Sequence, residues 1–237
     1  MEDGVFFPTT VGTPQGGVLS PLLANIALNF LDWQLDEAGY RFVRYADDCN
    51  VYVRSRRAGE RVMELLRRLY AGLRLRVNEA KSAVDRPQNR KLLGYSFYWG
   101  RRAEGMKRKV APKALTAMKD RVRELTRPTR SQSIARVAAD LRSYLTGWKN
   151  YFRLADTPKV FAALDEWIRH RLRALHLRHW KRGRVTYREL RARGLSEHNA
   201  AYVAANTRRW WKNSAMLIHV AFPIRYFDQL GIPRLAA

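Results

Sequence analysis

Tyr40-Arg41-Phe42-Val43-Arg44-Tyr45-Ala46-Asp47-Asp48-Cys49-Asn50-Val51-Tyr52-Val53-Arg54 is the stretch on which the fold turns. Its two flanks are rich in β-branched and aromatic residues, and Ala46 to Cys49 has turn character. The pattern predicts a β-hairpin. Such a tip presents Asp47 and Asp48 toward one point. Adjacent Asp residues are common in turns, where the carboxylate accepts nearby backbone N–H groups. They are also the hard oxygen donors that Mg²⁺ takes alongside substrate phosphates.

Upstream, Val5 to Gly17 is rich in Gly, Pro and Thr and reads as loop. Ser20-Pro21 then predicts a helix start, with Ser20 as N-cap and Pro21 in the first turn. Leu22, Leu23, Ile26, Leu28, Phe30, Leu31 and Leu35 make this helix apolar nearly all round, which predicts burial. Downstream, Val62, Leu65, Leu66, Leu69 and Leu73 recur at helical spacing between Gly59 and Leu73. A short strand over Leu73 to Val77, and Leu92 to Trp99, supply two more β elements. After Gly100 the alternation disappears. Helices are expected near residues 112–126, 131–154, 158–181 and 186–193. The fold class is therefore α+β, with residues 1–105 as a first domain and 106–237 as an all-helical second one.

The chain has 237 residues, 46% hydrophobic and 11% aromatic, so it can bury a core and disorder is excluded. No window approaches the length of a membrane-spanning apolar run. One cysteine, Cys49, excludes an internal disulfide and a thiolate zinc site, and points to a reducing, cytoplasmic setting. Charge is the strongest signal. Lys and Arg total 45 against 21 Asp and Glu, a net +24. Residues 1–100 carry +3 of this and residues 101–237 carry +21. Arg supplies 35 of the 45 cations, and its fork matches phosphate oxygens and stacks on bases. A polyanion is the partner this surface asks for, and nucleic acid is the first candidate. A membrane surface would need one concentrated basic amphipathic segment, whereas these cations are spread over many.

Four ordered blocks carry a family resemblance. Tyr45-Ala46-Asp47-Asp48 resembles the metal-binding hairpin of reverse transcriptases. Gly12-Thr13-Pro14-Gln15-Gly16-Gly17-Val18-Leu19-Ser20-Pro21-Leu22-Leu23-Ala24-Asn25-Ile26 resembles the loop and helix before it. Val77-Asn78-Glu79-Ala80-Lys81-Ser82 resembles the next block, and Leu92 to Phe97 the hairpin that grips the primer end. The long second block is similar to the group II intron branch in particular. Leu141 to Phe152 resembles the helical thumb of that branch, called the maturase or X domain.

The resemblance implies roles position by position. Asp47 and Asp48 match the catalytic metal ligands, with Mg²⁺ as cofactor. Gln15, Gly16, Gly17, Tyr45, Ala46, Lys81, Leu93 and Gly94 match positions around nucleotide, template and primer. The expected partners are group II intron RNA, an RNA template with a DNA primer, and deoxynucleoside triphosphates. RNA contact is expected from Arg142, Lys149, Arg169, Arg173, Arg178, Lys181, Arg182, Arg208 and Arg209, with Arg171 and Arg184 beside them. Most C-terminal aromatics are expected in the helical core, with Trp210 and Trp211 the exceptions. His170, His176 and His179 are expected to hydrogen-bond, since no carboxylate or thiol completes a metal site. The family also carries fingers and a third catalytic Asp before the Gln-Gly-Gly loop, and Met1 lies eleven residues before Gly12. The expectation is a palm remainder plus thumb, N-terminally truncated, dimeric or complemented by another chain. Two readings stay open: an RNA-directed DNA polymerase, or an RNA-binding maturase fragment or gene remnant without polymerase chemistry.

Overall fold

The computed structural model describes residues 17–101, 104–127 and 132–236. The chain divides into two compact units, Met1–Arg86 and Pro87–Ala237.

In the first unit, helix α1 (Ser20–Glu37) leads into an antiparallel hairpin, β1 (Arg41–Tyr45) and β2 (Asp48–Tyr52), and then helix α2 (Arg56–Gly72). Ser20 is the first helical residue and makes no side-chain cap; Leu19 stands at the N-cap. Only Leu28, Leu31 and Leu35 of α1 are buried, whereas Leu22, Leu23, Ile26, Phe30 and Trp33 are exposed. The all-round burial expected of this helix is therefore corrected to burial of one stripe. Within the described part of this unit, a single layer packs on the helix, and one layer covers one face. Ser55 caps α2 by accepting the Ala58 N–H at 3.2 Å. No strand forms over residues 73–77. The helix instead ends in a turn with Arg74 at φ +57°, and no neighbouring strand pairs with the residues beyond it.

The second unit opens with a three-stranded antiparallel sheet of β3 (Lys91–Leu92), β4 (Tyr95–Trp99) and β5 (Met106–Val110), in that order. Residue 105 lies between β4 and β5, so the second unit begins with strands and is not wholly helical. Six further helices are described after α3 (Pro112–Leu125): α4 (Ile134–Phe152), α5 (Pro158–Trp180), α6 (Gly183–Ala192), α7 (Glu197–Ala205), α8 (Trp210–Met216) and α9 (Ile224–Gln229). The core follows the 3.6-residue period. Val137, Leu141, Leu145, Trp148 and Phe152 form the buried stripe of α4, and Phe161, Leu164, Ile168, Leu172 and Leu175 that of α5. Phe222, Phe227 and Ile232 from the C-terminal segment join the same core. The α+β class holds. Among the described residues, no helix is long and apolar enough to cross a membrane.

Candidate active site and nucleic-acid interface

The hairpin turn in the first unit is tighter than the four residues expected. Tyr45 pairs with Asp48, which leaves only Ala46 and Asp47 in the turn. Ala46 has φ +51° and Asp47 does not have a positive φ, the sign pattern of a type II′ turn. Cross-strand partners share a face. Phe42, Arg44, Cys49 and Val51 form the half-buried inner face; Arg41, Val43, Tyr45, Asp48, Asn50 and Tyr52 form the outer one. Asp47 at the tip, Asp48 beside it and Tyr45 opposite are all exposed.

Arg44 anchors this tip from beneath, a role that was not legible in the sequence. Its Nε donates to Asp32 Oδ1 at 2.7 Å and its Nη2 to Asp32 Oδ2 at 2.5 Å. Its Nη1 donates to Asn25 Oδ1 at 3.0 Å and to the Ala46 carbonyl at 2.9 Å. One guanidinium thus ties α1 to the turn through a bidentate pair. Asp32 neutralises this nearby cation. Among the described residues, neither Asp47 nor Asp48 takes part in a salt bridge, and no group of three or more His, Cys, Asp and Glu side chains gathers. Two open, adjacent carboxylates fit the protein's share of an Mg²⁺ sphere, because that ion keeps waters and substrate phosphates as its other ligands. Cys49 lies on the inner face, where burial, seconded by Asp32, pushes its thiol up to about 11. It is a packing residue and no nucleophile.

Gln15 and Gly16 lie outside the described residues. Gly17 is exposed and its carbonyl accepts the Ser20 N–H at 3.1 Å. Lys81 follows a turn in which its backbone N–H donates to Asn78 Oδ1 at 3.2 Å.

Leu93 and Gly94 belong to the second unit, where they form the two-residue turn between β3 and β4. Their φ values are +49° and +76°, both left-handed as a type I′ hairpin requires. This turn is fastened to the end of α4. Tyr151 donates its hydroxyl to the Leu93 carbonyl at 3.0 Å, Tyr95 donates to the Tyr151 carbonyl at 2.5 Å, and Ala111 N–H donates to the Gly94 carbonyl at 2.8 Å. A Cβ at Gly94 would stand 3.2 and 3.3 Å from two ring carbons of Phe152. That ring is itself packed against Tyr95 and Trp148, at 5.2 and 4.8 Å between centroids. Gly94→Ala combines left-handed strain with overpacking and should cost about 2 kcal/mol. Chemical denaturation would read this as a lower midpoint at unchanged slope.

The basic residues fall into two sets. Arg142 donates to the Leu230 and Gly231 carbonyls at 2.9 and 3.1 Å, and Lys149 Nζ to the Arg234 carbonyl at 2.7 Å. Arg173 Nε donates to the Ser214 carbonyl at 3.0 Å, and Arg171 Nε to Thr126 Oγ1 at 2.8 Å. Burial lowers both of these guanidiniums, with Arg169 adding repulsion at Arg173 and Arg123 at Arg171. These four cations bond within the protein. Arg178, Lys181, Arg182, Arg184, Arg208, Arg209 and Lys212 are exposed. Among the described residues, none of them pairs with a carboxylate. The Arg178 guanidinium lies 5.9 Å from the Trp210 ring, which places the end of α5 beside the segment carrying Arg208 and Arg209. Arg169 is half-buried on α5.

Trp148 is buried, as expected, and Trp211 is 41% exposed. His176 is buried against Phe222, and Tyr226 Oη lies 2.9 Å from its Nε2. Burial, with Arg193 and His179 adding repulsion, lowers its pKa to about 3, so it is neutral at physiological pH. His170 Nε2 donates to the Trp211 carbonyl at 3.1 Å.

Two family descriptions match the chain. Residues 2–97 match "Reverse transcriptase (RNA-dependent DNA polymerase)", and residues 115–194 match "Group II intron, maturase-specific domain". The first span includes the Tyr45–Asp48 hairpin and the Leu93-Gly94 turn, and the second includes α4, α5 and most of α3. Among the curated proteins, none matches the chain.

Proposed function

The chain belongs to the group II intron reverse transcriptase and maturase family, and on that premise we propose that it holds intron RNA on its helical unit and supports RNA-templated DNA synthesis at Asp47 and Asp48. What carries this reading is a separation of charge along one chain: two open carboxylates on the hairpin, and exposed cations between Arg178 and Lys212 that have no carboxylate partner among the described residues. An isolated carboxylate pair is a plausible turn, and an isolated basic helix a plausible solvated face. The two together, each without a counter-ion among the described residues, suit a polymerase that must bind both a cation and a polyanion.

In this reading Asp47 and Asp48 hold Mg²⁺, which when bound would acidify a primer 3′-hydroxyl and offset the charge of the nucleotide phosphates. Arg44 keeps the Ala46 carbonyl, and with it the tip, at a fixed height over α1. Tyr45, whose ring is exposed beside Asp48, supplies a surface against which a primer terminus or nucleotide can rest. Leu93 and Gly94 present a rigid backbone turn that supports the primer strand. Arg178, Lys181, Arg182, Arg184, Arg208, Arg209 and Lys212 hold RNA phosphates, positioning the RNA without reading its sequence.

The test is primer extension on an RNA template with deoxynucleotides and Mg²⁺. Asp47→Asn should lower the Mg²⁺-dependent rate by about 100-fold, since a metal ligand supplies several kcal/mol of charge stabilisation. An equal rate in the variant would remove Asp47 from the site. Salt-sensitive RNA binding without extension by the wild-type chain would leave the second reading, an RNA-binding maturase without polymerase chemistry.

A further inference from the structure

Among the exposed aromatic residues of the second unit, Trp99, Tyr151, Tyr202 and Trp211, the last is 41% exposed and stands within the most basic part of the chain. That ring is not loosely held. The His170 ring lies 4.0 Å away between centroids, and the Arg171 guanidinium 5.9 Å away. The Trp211 carbonyl accepts from His170 Nε2 at 3.1 Å and from Ser214 Oγ at 2.7 Å. Arg171 also lies 5.4 Å from Trp167 and is fastened to Thr126. The indole is therefore set on a scaffold spanning α3, α5 and α8, and fixing it in advance lowers the entropy lost when something stacks on it. Beside it in the sequence are Arg208, Arg209 and Lys212, all exposed and without carboxylate partners among the described residues. Trp211 also lies beyond residues 115–194, the part matched to the maturase domain.

We propose that Trp211 is a stacking platform for an unpaired RNA base, with Arg208, Arg209 and Lys212 gripping the phosphates on either side of that base. The inference rests on the RNA-binding reading above and specifies it. An indole needs a base with an open face, which a base inside a duplex does not offer. A bulge, loop or single-stranded segment does, and the flanking cations select a polyanion over an apolar protein surface.

The experiment uses the full chain and two labelled RNA hairpins that differ by a three-nucleotide bulge, one base of which is 2-aminopurine. The wild type should bind the bulged hairpin about fivefold or more tightly than the paired one. It should also quench the 2-aminopurine. Trp211→Ala should weaken the bulged complex about tenfold, within the range of one base–aromatic stack. It should leave the paired complex and the salt slope unchanged and abolish the quenching. Trp211→Tyr, which keeps an aromatic face, should restore binding to within about threefold, and it guards against a folding defect being read as a lost contact. Equal weakening of both hairpins, or unchanged quenching in Trp211→Ala, would overturn the platform while leaving the RNA reading intact. An absence of salt-sensitive binding by the wild type would overturn both.

Discussion

Raising the salt from 50 to 200 mM should weaken RNA binding by this chain about 1,000-fold. Each neutralised phosphate releases condensed counter-ions, so log K falls against log salt with a slope of about −0.7 to −0.9 per contact. Seven exposed cations of the second unit, Arg178, Lys181, Arg182, Arg184, Arg208, Arg209 and Lys212, have no carboxylate partner among the described residues. If about six of them meet phosphates on duplex RNA, the slope is near −5, and a fourfold rise in salt gives the stated loss. Replacing Arg208 and Arg209 with Ala should reduce the slope by nearly two. Replacing Arg142 should reduce it little, because that guanidinium is bonded to the Leu230 and Gly231 carbonyls. A filter-binding or anisotropy series over five salt concentrations reads all three slopes. A flat response would refute phosphate contact as the source of affinity.

That contrast shows how far the sequence was legible. Arg142 and Lys149 read as RNA-facing cations because they stand among many others on a helical pattern. Their acceptors are carbonyls 85 to 89 residues away. No local spacing announces a bond of that range. Arg44 is similar. It reads as one of several strand arginines, and only the packing of α1 against the hairpin reveals Asp32 and Asn25 as its partners. The hairpin itself was legible, because β-branched and aromatic flanks around Asp47 and Asp48 leave few alternatives. Its turn length was not, since Ala46 takes a left-handed conformation usually filled by Gly or Asn. β5 was missed because Met106-Lys107-Arg108-Lys109-Val110 lacks an apolar run, and tertiary pairing with β4 overrides weak propensity. The helices α7, α8 and α9 span nine, seven and six residues, too few turns for a periodicity to stand out.

The fastening of the sheet to the helices follows the same logic at close range. Asp156, just before α5, accepts the Arg108 backbone N–H at 2.8 Å and its side-chain Nε at 3.2 Å. That hydrogen bonding holds the Asp156 carboxyl below its ordinary range. Tyr98 donates to the Asp156 carbonyl at 2.9 Å and Tyr95 to that of Tyr151. These bonds explain why the strands carrying Leu93 and Gly94 group with the helices and not with the Asp47–Asp48 hairpin. In the proposed reading, the turn that supports the primer strand is thereby built as part of the RNA-binding unit.

Removing the Asp165 carboxylate should destabilise that unit substantially. Asp165 is buried on α5, and its carboxylate accepts three bonds from the C-terminal segment. Leu235 N–H reaches both oxygens, at 2.9 and 3.1 Å, and Ala236 N–H reaches Oδ2 at 3.1 Å. Asp165→Ala strips two backbone donors of their acceptor, the buried Leu235 N–H and the N–H of exposed Ala236. An unsatisfied buried donor costs about 1–3 kcal/mol, and bonds to a charged group lie at the upper end. With one of the two donors left buried, the loss should come to about 2–3 kcal/mol, roughly 30- to 150-fold in the unfolding equilibrium. Asp165→Asn retains one carbonyl acceptor and should cost roughly half as much. Denaturant unfolding ranks the two variants. The C-terminal segment also carries the carbonyls that hold Arg142 and Lys149, so its release should return those two cations to solvent. Asp165→Ala should then show lower stability together with a steeper salt dependence of RNA binding than the wild type. If stability falls while the slope stays at its wild-type value, the segment clamps the fold without occupying cations that RNA could use.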